Sequence, residues 1–178
     1  RSSWQDYDKA LISRGGGVFS RQDKAIPLSP EIGALLDLAG PRAAPNDILR
    51  AVLKARADLL FFGGIGTFVR GPGEADERVG DRANDAIRVT GEDLRVRVVG
   101  EGANLGMTQL GRVAYCLRGG RCNSDAIDNS AGVNTSDVEV NIKIAFGSAL
   151  RAGRIDLKKR DRLLVAMTGE VAALVLRN

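Results

Sequence analysis

The sequence contains no histidine, and only two cysteines, eight aromatic residues and five prolines among 178 residues. Without histidine, imidazole general bases and most zinc sites are excluded, so any catalysis rests on Asp, Glu, Lys or a bound cofactor. Cys116 and Cys122 are too few for a disulfide framework and lack metal-ligand spacing; they are expected to be reduced structural thiols of a cytoplasmic protein, with no metal site. The few aromatics do not interleave with basic residues, so no base-stacking platform is evident. Neither sign of charge dominates: there are 26 Lys and Arg against 22 Asp and Glu, a net charge of +4, scattered rather than gathered into a stripe. The densest basic cluster, Lys158-Lys159-Arg160-Asp161-Arg162, reads as the solvated face of a helix, and no nucleic-acid partner is expected. Apolar runs such as 165–167 and 171–176 fall far short of the roughly 20 residues of a bilayer span, so no membrane partner is expected either. The polar start Arg1-Ser2-Ser3-Trp4-Gln5-Asp6 has no initiator Met and no apolar signal core, and reads as an internal cut.

With 44% hydrophobic residues, the chain is expected to form one main globular unit. Residues 1–44, punctuated by Gly15-Gly16-Gly17, Pro27, Pro30 and Gly40-Pro41, read as an irregular connecting region with one short helix near 31–38. Pro45-Asn46-Asp47 opens a helix whose apolar face is Ile48, Leu49, Val52 and Leu53. Two apolar strands are expected at 58–62 and 94–99, a helix over 107–117, and a third strand around 125–127. Each strand stops at small or amide-bearing residues: Gly63-Gly64-Ile65-Gly66-Thr67, Gly100-Glu101-Gly102-Ala103-Asn104, and Asp128-Asn129. In an open parallel sheet every carboxyl end lies on one edge, so these three loops are expected to converge on a ligand crevice.

A helix is expected to start at Ser136, with Glu139 completing a capping box and Ile142, Ile144, Ala145 and Phe146 on its buried side. A second follows over 157–176 with the stripe Leu157, Leu164, Met167, Val171 and Leu174. The fold class expected is α/β: a partial Rossmann-like parallel sheet with flanking helices and a C-terminal helical segment. Residues 45–135 would be the second half of a dinucleotide-binding domain and 136–178 the helical segment. In 80–89, the Asp and Arg residues read as surface ion pairs, worth roughly 0 to 1 kcal/mol each.

The small dehydrogenases of glutamate and related amino acids carry an E-G-A-N sequence at a strand end and a later N-A-G-G-V-x-x-S-x-x-E stretch. Glu101-Gly102-Ala103-Asn104 is similar to the first. The second is N-S-A-G-V-N-T-S-D-V-E here, with Ser130 and Ala131 as small exchanges. A closer resemblance is to the large bacterial NAD-specific glutamate dehydrogenases. It rests on Ser3-Trp4-Gln5-Asp6-Tyr7-Asp8, Gly15-Gly16-Gly17-Val18-Phe19-Ser20, Gly63-Gly64-Ile65-Gly66-Thr67, Val79-Gly80-Asp81-Arg82-Ala83-Asn84-Asp85 and Asn104-Leu105-Gly106-Met107-Thr108-Gln109-Leu110-Gly111-Arg112. Phe61-Phe62 stands where members often have Trp-Asn.

The resemblance implies oxidative deamination of L-glutamate to 2-oxoglutarate and ammonium, with NAD as the cofactor that accepts hydride and a homo-oligomeric full-length protein. By position it implies that Asn104 and Asn129 contact the nicotinamide end of the cofactor, that Gly63, Gly64 and Ile65 pass near the adenosine ribose, and that Ser136 holds the distal carboxylate of the substrate. The glycine-rich fingerprint and the catalytic lysine of the family have no match here, so no catalytic residue is assigned and a fragment inactive by itself is expected. Two other readings remain open on the residues: a non-catalytic nucleotide-binding or regulatory module, and a dehydrogenase of another amino acid.

Overall fold

A computed structural model describes residues 4–177, so Arg1, Ser2 and Ser3, including the first residue of the Ser3–Asp8 motif, and Asn178 lie outside the described residues. The chain divides into two compact units between Asn123 and Ser124. In the first unit the elements run β1 (Ile26–Pro27), α1 (Pro30–Leu36), β2 (Arg42–Ala43), α2 (Pro45–Leu53), β3 (Leu59–Phe62), β4 (Val69–Arg70), α3 (Asp76–Val79), β5 (Val89–Thr90), β6 (Val98–Glu101), α4 (Gln109–Leu117) and β7 (Arg121–Cys122). The second holds α5 (Asp125–Asp128), α6 (Ser130–Arg151) and α7 (Leu157–Val175).

Local chemistry accounts for most of these boundaries. Ser29 accepts from Ile32 N (3.1 Å) just before Pro30, Thr108 accepts from Gly111 N (3.0 Å), and Asp156 accepts from Lys159 N (2.7 Å), so α1, α4 and α7 each begin at a side-chain cap. Proline likewise opens α2, and its Leu53 is buried in the core.

The central sheet is parallel, in the order β3-β6-β7. Leu59 pairs with Val98 and Phe62 with Glu101, while Val98 and Val99 pair with Arg121 and Cys122 on the other side. A second parallel pair joins β4 to β5, and Val69 also bridges Met107. One face of the sheet carries the core of Leu53, Phe62, Val69, Val99, Met107 and Tyr115 with their neighbours. The alternate positions Leu59, Phe61 and Val98 are exposed. This mixed helix and parallel-strand arrangement is the α/β class expected from the sequence.

Several local expectations are corrected. The second strand is Val98–Glu101 rather than 94–99, so Gly100 and Glu101 are paired within it instead of following it. Residues 125–128 are helical, and the third strand is the shorter Arg121–Cys122, reached through the turn at Gly119, where φ is +89°. A segment as short as Asp125-Ala126-Ile127 has no period that separates strand from helix. Ser136 lies inside α6 rather than at its start. No proline stops the helix from beginning at Ser130, and the Thr135 hydroxyl donates back to Ala131 O (2.7 Å), a bond compatible with helical backbone. On α6, Ile142 and Phe146, four residues apart, are half-buried, whereas Ile144 and Ala145 point outward. On α7, Leu164, Met167 and Val171 line a groove within this unit together with Ile142, while Leu157 and Leu174 remain exposed.

Close approach fixes α4 against the short 3₁₀ turn Gly91–Asp93, because a Cβ at Gly91 would run into the backbone carbonyl of Gly111. Gly91→Ala is therefore expected to destabilise the protein by about 1–3 kcal/mol, read as a lowered urea midpoint. Gly73→Ala, whose Cβ would meet nothing within 4 Å, is expected to leave the midpoint in place. Equal midpoints for the two variants would contradict this packing.

Candidate functional site

The site in the first unit is the carboxyl edge of β3 and β6. Because Phe62 and Glu101 are in register, the loops that follow them, 63–67 and 102–107, leave adjacent strands in the same direction. Ala103 N donates to Phe62 O (3.0 Å), which ties the second loop to the end of the first strand. The Phe62 ring stacks on Phe68 with centroids 5.6 Å apart and forms the floor beneath both loops. The exposed Phe61 ring lies on the other face, where it packs against Gly100 and Gly102.

Glu101 is wholly buried at the end of β6. Such a carboxylate requires a counter-charge and donors, and it has both. Arg112, one turn into α4, donates to Glu101 Oε1 from Nη2 (2.6 Å) and Nε (3.2 Å), and Met107 N donates to Glu101 Oε2 (3.2 Å). Gln109 Oε1 accepts from Arg112 Nη1 (2.7 Å) and holds the guanidinium from the other side. Loop 102–107 is thus tied at Ala103 and at Met107, with Asn104 and Leu105 exposed between the two ties. Leu105 has φ of +59°, a left-handed conformation that costs a side-chain-bearing residue roughly 1 kcal/mol or more and persists where its surroundings hold it. A Cβ at Gly106 would press on the Phe62 ring (2.9 Å) and approach Glu101 Oε2 (3.2 Å), so the chain passes there only as glycine.

A second charged cluster holds the first loop. The Arg88 side chain is fully buried and spreads its donors over Thr67 O (2.9 Å), Asp81 O (2.6 Å), Asp76 Oδ1 (2.9 Å) and Asp85 Oδ1 (2.6 Å). Asp81 Oδ2 accepts from Thr67 N (2.8 Å) and from Asn84 Nδ2 (2.7 Å). The Gly80–Asp85 motif is therefore a clamp on Thr67, the last residue of the Gly63–Thr67 loop. The Asp85–Arg88 pair read from the sequence as a surface contact is buried on its arginine side. The two clusters join through backbone: Phe68 N and Val69 N both donate to Gly106 O (2.9 and 3.3 Å), and Thr108 N donates to Val69 O (2.8 Å).

Of the residues singled out in the sequence, Gly63, Gly64, Ile65 and Asn104 share this one edge and are all exposed, Ile65 at 95%. Asn129 and Ser136 belong to the second unit. Asn129 lies between α5 and α6, half-buried, with its Oδ1 against Gly132, and Ser136 follows two helical turns later on α6. A Cβ on Gly64 would meet nothing within 4 Å and one on Gly63 only the Phe61 ring (3.5 Å), so the backbone here is open to close approach by a ligand. The residues that hold the loops, Glu101, Arg112, Arg88 and Asp81, were not assigned roles from the sequence. The available signal was a glutamate closing an apolar strand, which must find a cation nearby. Among the described residues no group of three His, Cys, Asp or Glu could hold a metal ion.

The clamp is sensitive to acid. The hydrogen bond from Arg88 holds the Asp76 carboxyl below the usual aspartate range, and the bonds from Asn84 Nδ2 and then Thr67 N do the same for Asp81. Both groups are ionised more readily in the folded than in the unfolded chain. Their contribution is complete above the unfolded value of about 3.9 and is lost as pH falls through the lower folded values. The urea midpoint is expected to drop steeply below about pH 4. Asp81→Asn should lower the midpoint at neutral pH and make that acid drop shallower; an unchanged acid slope would contradict the assignment.

Residues 1–178 match the family model described as bacterial NAD-glutamate dehydrogenase, catalytic domain. The chain is 54% identical over 182 residues to the NAD-specific glutamate dehydrogenase of Mycobacterium tuberculosis, covering 99% of this chain. It is 54% identical over 178 residues to the protein of that name in Pseudomonas aeruginosa, and 48% identical over 176 residues to that of Halomonas elongata, covering 100% and 99% of this chain. It spans about 11% of the length of each of these relatives. With its full length matched and the glycine and Glu101–Asn104 loops on one sheet edge, the chain belongs to the bacterial NAD-glutamate dehydrogenase catalytic-domain family.

Proposed function

We propose that this chain contributes one wall of the NAD site in an enzyme that oxidatively deaminates L-glutamate to 2-oxoglutarate and ammonium. The observation that carries the reading is the common carboxyl edge of β3 and β6, where the Gly63–Ile65 backbone is open and Asn104 is exposed at the apex of a tethered loop. Ligands of open parallel sheets bind at that edge. All three relatives bear the name NAD-specific glutamate dehydrogenase, which favours glutamate over another amino acid and an enzyme over a non-catalytic module.

In this reading residues 45–135 are the second half of a dinucleotide-binding domain. Gly63, Gly64 and Ile65 pass beside the adenosine ribose, the absence of side chains at the two glycines letting main-chain groups reach ligand oxygens. Asn104 and Asn129 hold the nicotinamide end, since an amide both donates and accepts hydrogen bonds and so matches a carboxamide. Ser136 bonds the distal carboxylate of glutamate through its hydroxyl. Bound NAD supplies the hydride acceptor; the contribution of these residues is orientation of the ring and the substrate relative to each other. The full-length protein is taken to be a cytoplasmic homo-oligomer.

The test is Asn104→Ala in the full-length protein, assayed by glutamate-dependent NADH formation. Loss of an orienting bond of about 1.4 kcal/mol or more corresponds to a roughly tenfold or larger fall in kcat/KM for NAD, with the circular dichroism spectrum unchanged. A full-length protein that makes no NADH from glutamate, or a variant with the kcat/KM of the parent, would overturn the proposal.

A further inference from the structure

The two cysteines, six residues apart in sequence, meet in space. Cys116 sits in the last turn of α4 and Cys122 in β7, and their Sγ atoms are 3.4 Å apart. The intervening turn sets this distance. Gly119 N donates to Cys116 O (2.9 Å) and Gly120 N to Tyr115 O (3.2 Å), while Gly119 adopts φ of +89°, so the chain doubles back beneath the end of the helix. A disulfide needs sulfurs about 2.04 Å apart, so closure requires an approach of roughly 1.4 Å, within reach of side-chain rotation at two loop-proximal positions. The surroundings of the two thiols differ. Cys116 is exposed, whereas Cys122 is half-buried and packs against the core.

We propose that Cys116 and Cys122 form a reversible dithiol–disulfide site oxidised by peroxide, with Cys116 the attacking and Cys122 the resolving residue. The Cys116 thiolate attacks a peroxide oxygen; an S–O bond forms, the O–O bond breaks, and the departing hydroxide takes up a proton to leave as water. Cys122 sulfur then attacks the Cys116 sulfur of the sulfenic acid, forming the S–S bond as the S–O bond breaks. The proton from Cys122 goes to the leaving hydroxide, giving a second water. Two thiols lose two electrons in all and one hydrogen peroxide becomes two waters. The order of attack follows from exposure, and it agrees with the chemistry of Cys122: burial, followed by the bond with Cys116, pushes its thiol up to about 12, so it carries little thiolate with which to begin. An external dithiol returns the pair to the reduced state by exchange.

Arg118 and Arg121 lie between the two cysteines, so trypsin separates them into peptides 113–118 and 122–143. The native full-length protein is exposed to hydrogen peroxide, alkylated, digested and analysed by mass spectrometry without reduction. The two peptides are expected to appear joined as one species, lighter than their sum by two hydrogens, and to separate on adding dithiothreitol. In Cys122→Ser, Cys116 is expected to accumulate as a sulfenic acid that dimedone captures, whereas in Cys116→Ser, Cys122 is expected to stay alkylatable. Recovery of both peptides unlinked after peroxide, Cys116 carried on to sulfinic acid in the parent protein, or joining of either peptide to a different cysteine overturns the proposal.

Discussion

The buried pair of Glu101 and Arg112 is the contact on which the candidate site depends. A carboxylate with no exposed surface, placed at the end of a central strand, is tolerated only because a guanidinium and a backbone N–H meet both of its oxygens. Both partners follow Asn104 along the chain, Met107 at the end of its loop and Arg112 on α4, so the carboxylate at the end of β6 ties the far end of that loop back to the strand from which it leaves. The charge that is costly to bury therefore fixes the helix, the strand and the loop in one geometry. Removal of one member from such a pair costs about 3–5 kcal/mol, far more than the surface ion pairs elsewhere on the molecule.

Arg88 extends the same logic to the neighbouring loop. Its donors reach Thr67 O, a backbone carbonyl of the Gly80–Asp85 motif and two carboxylates, and the 67–69 segment is bonded in turn to Gly106. The two loops at the carboxyl edge of β3 and β6 are consequently parts of one hydrogen-bonded frame rather than independent turns. The residues that would touch a ligand stay exposed, and those that hold them are buried behind. Glycine has two separate roles in this frame: at Gly106 it admits the chain past an aromatic ring, and at Gly63 and Gly64 it leaves the main chain uncovered.

Much of this was readable before any coordinates. The apolar run that becomes β3 and its abrupt end in glycine, the proline that opens α2, and Leu164, Met167 and Val171 in the middle of the α7 stripe obey one-dimensional rules, because local propensity and burial agree there. By contrast, β6 begins four residues into its apolar run, and Leu157 and Leu174 of the stripe are exposed. Two-residue strands such as β4 and β5 lie below the length at which alternation can be seen. The 125–128 helix lacked a period for the same reason, and the capping signal at Ser136 lost to a helix already running from Ser130. The burial of Arg88 and Arg112 was hidden because charged residues are read as surface unless their partners are known. Asp85 and Gln109 lie only three residues before their arginines, but the partners that complete the burial, Thr67 O and Asp76 for Arg88 and Glu101 for Arg112, lie 11 to 21 residues away. Asn104 was legible as an amide at a strand end, whereas the machinery that presents it was not.

The most direct test of the frame is a double-mutant cycle on the unfolding free energy with Glu101→Gln, Arg112→Met and the two combined. A shared, buried and mutually dependent pair predicts a coupling energy of about 2 kcal/mol or more, the double variant being far less destabilised than the sum of the singles. Single effects that add to within about 0.5 kcal/mol would contradict it, because the loop bearing Asn104 would then be held by something other than this pair.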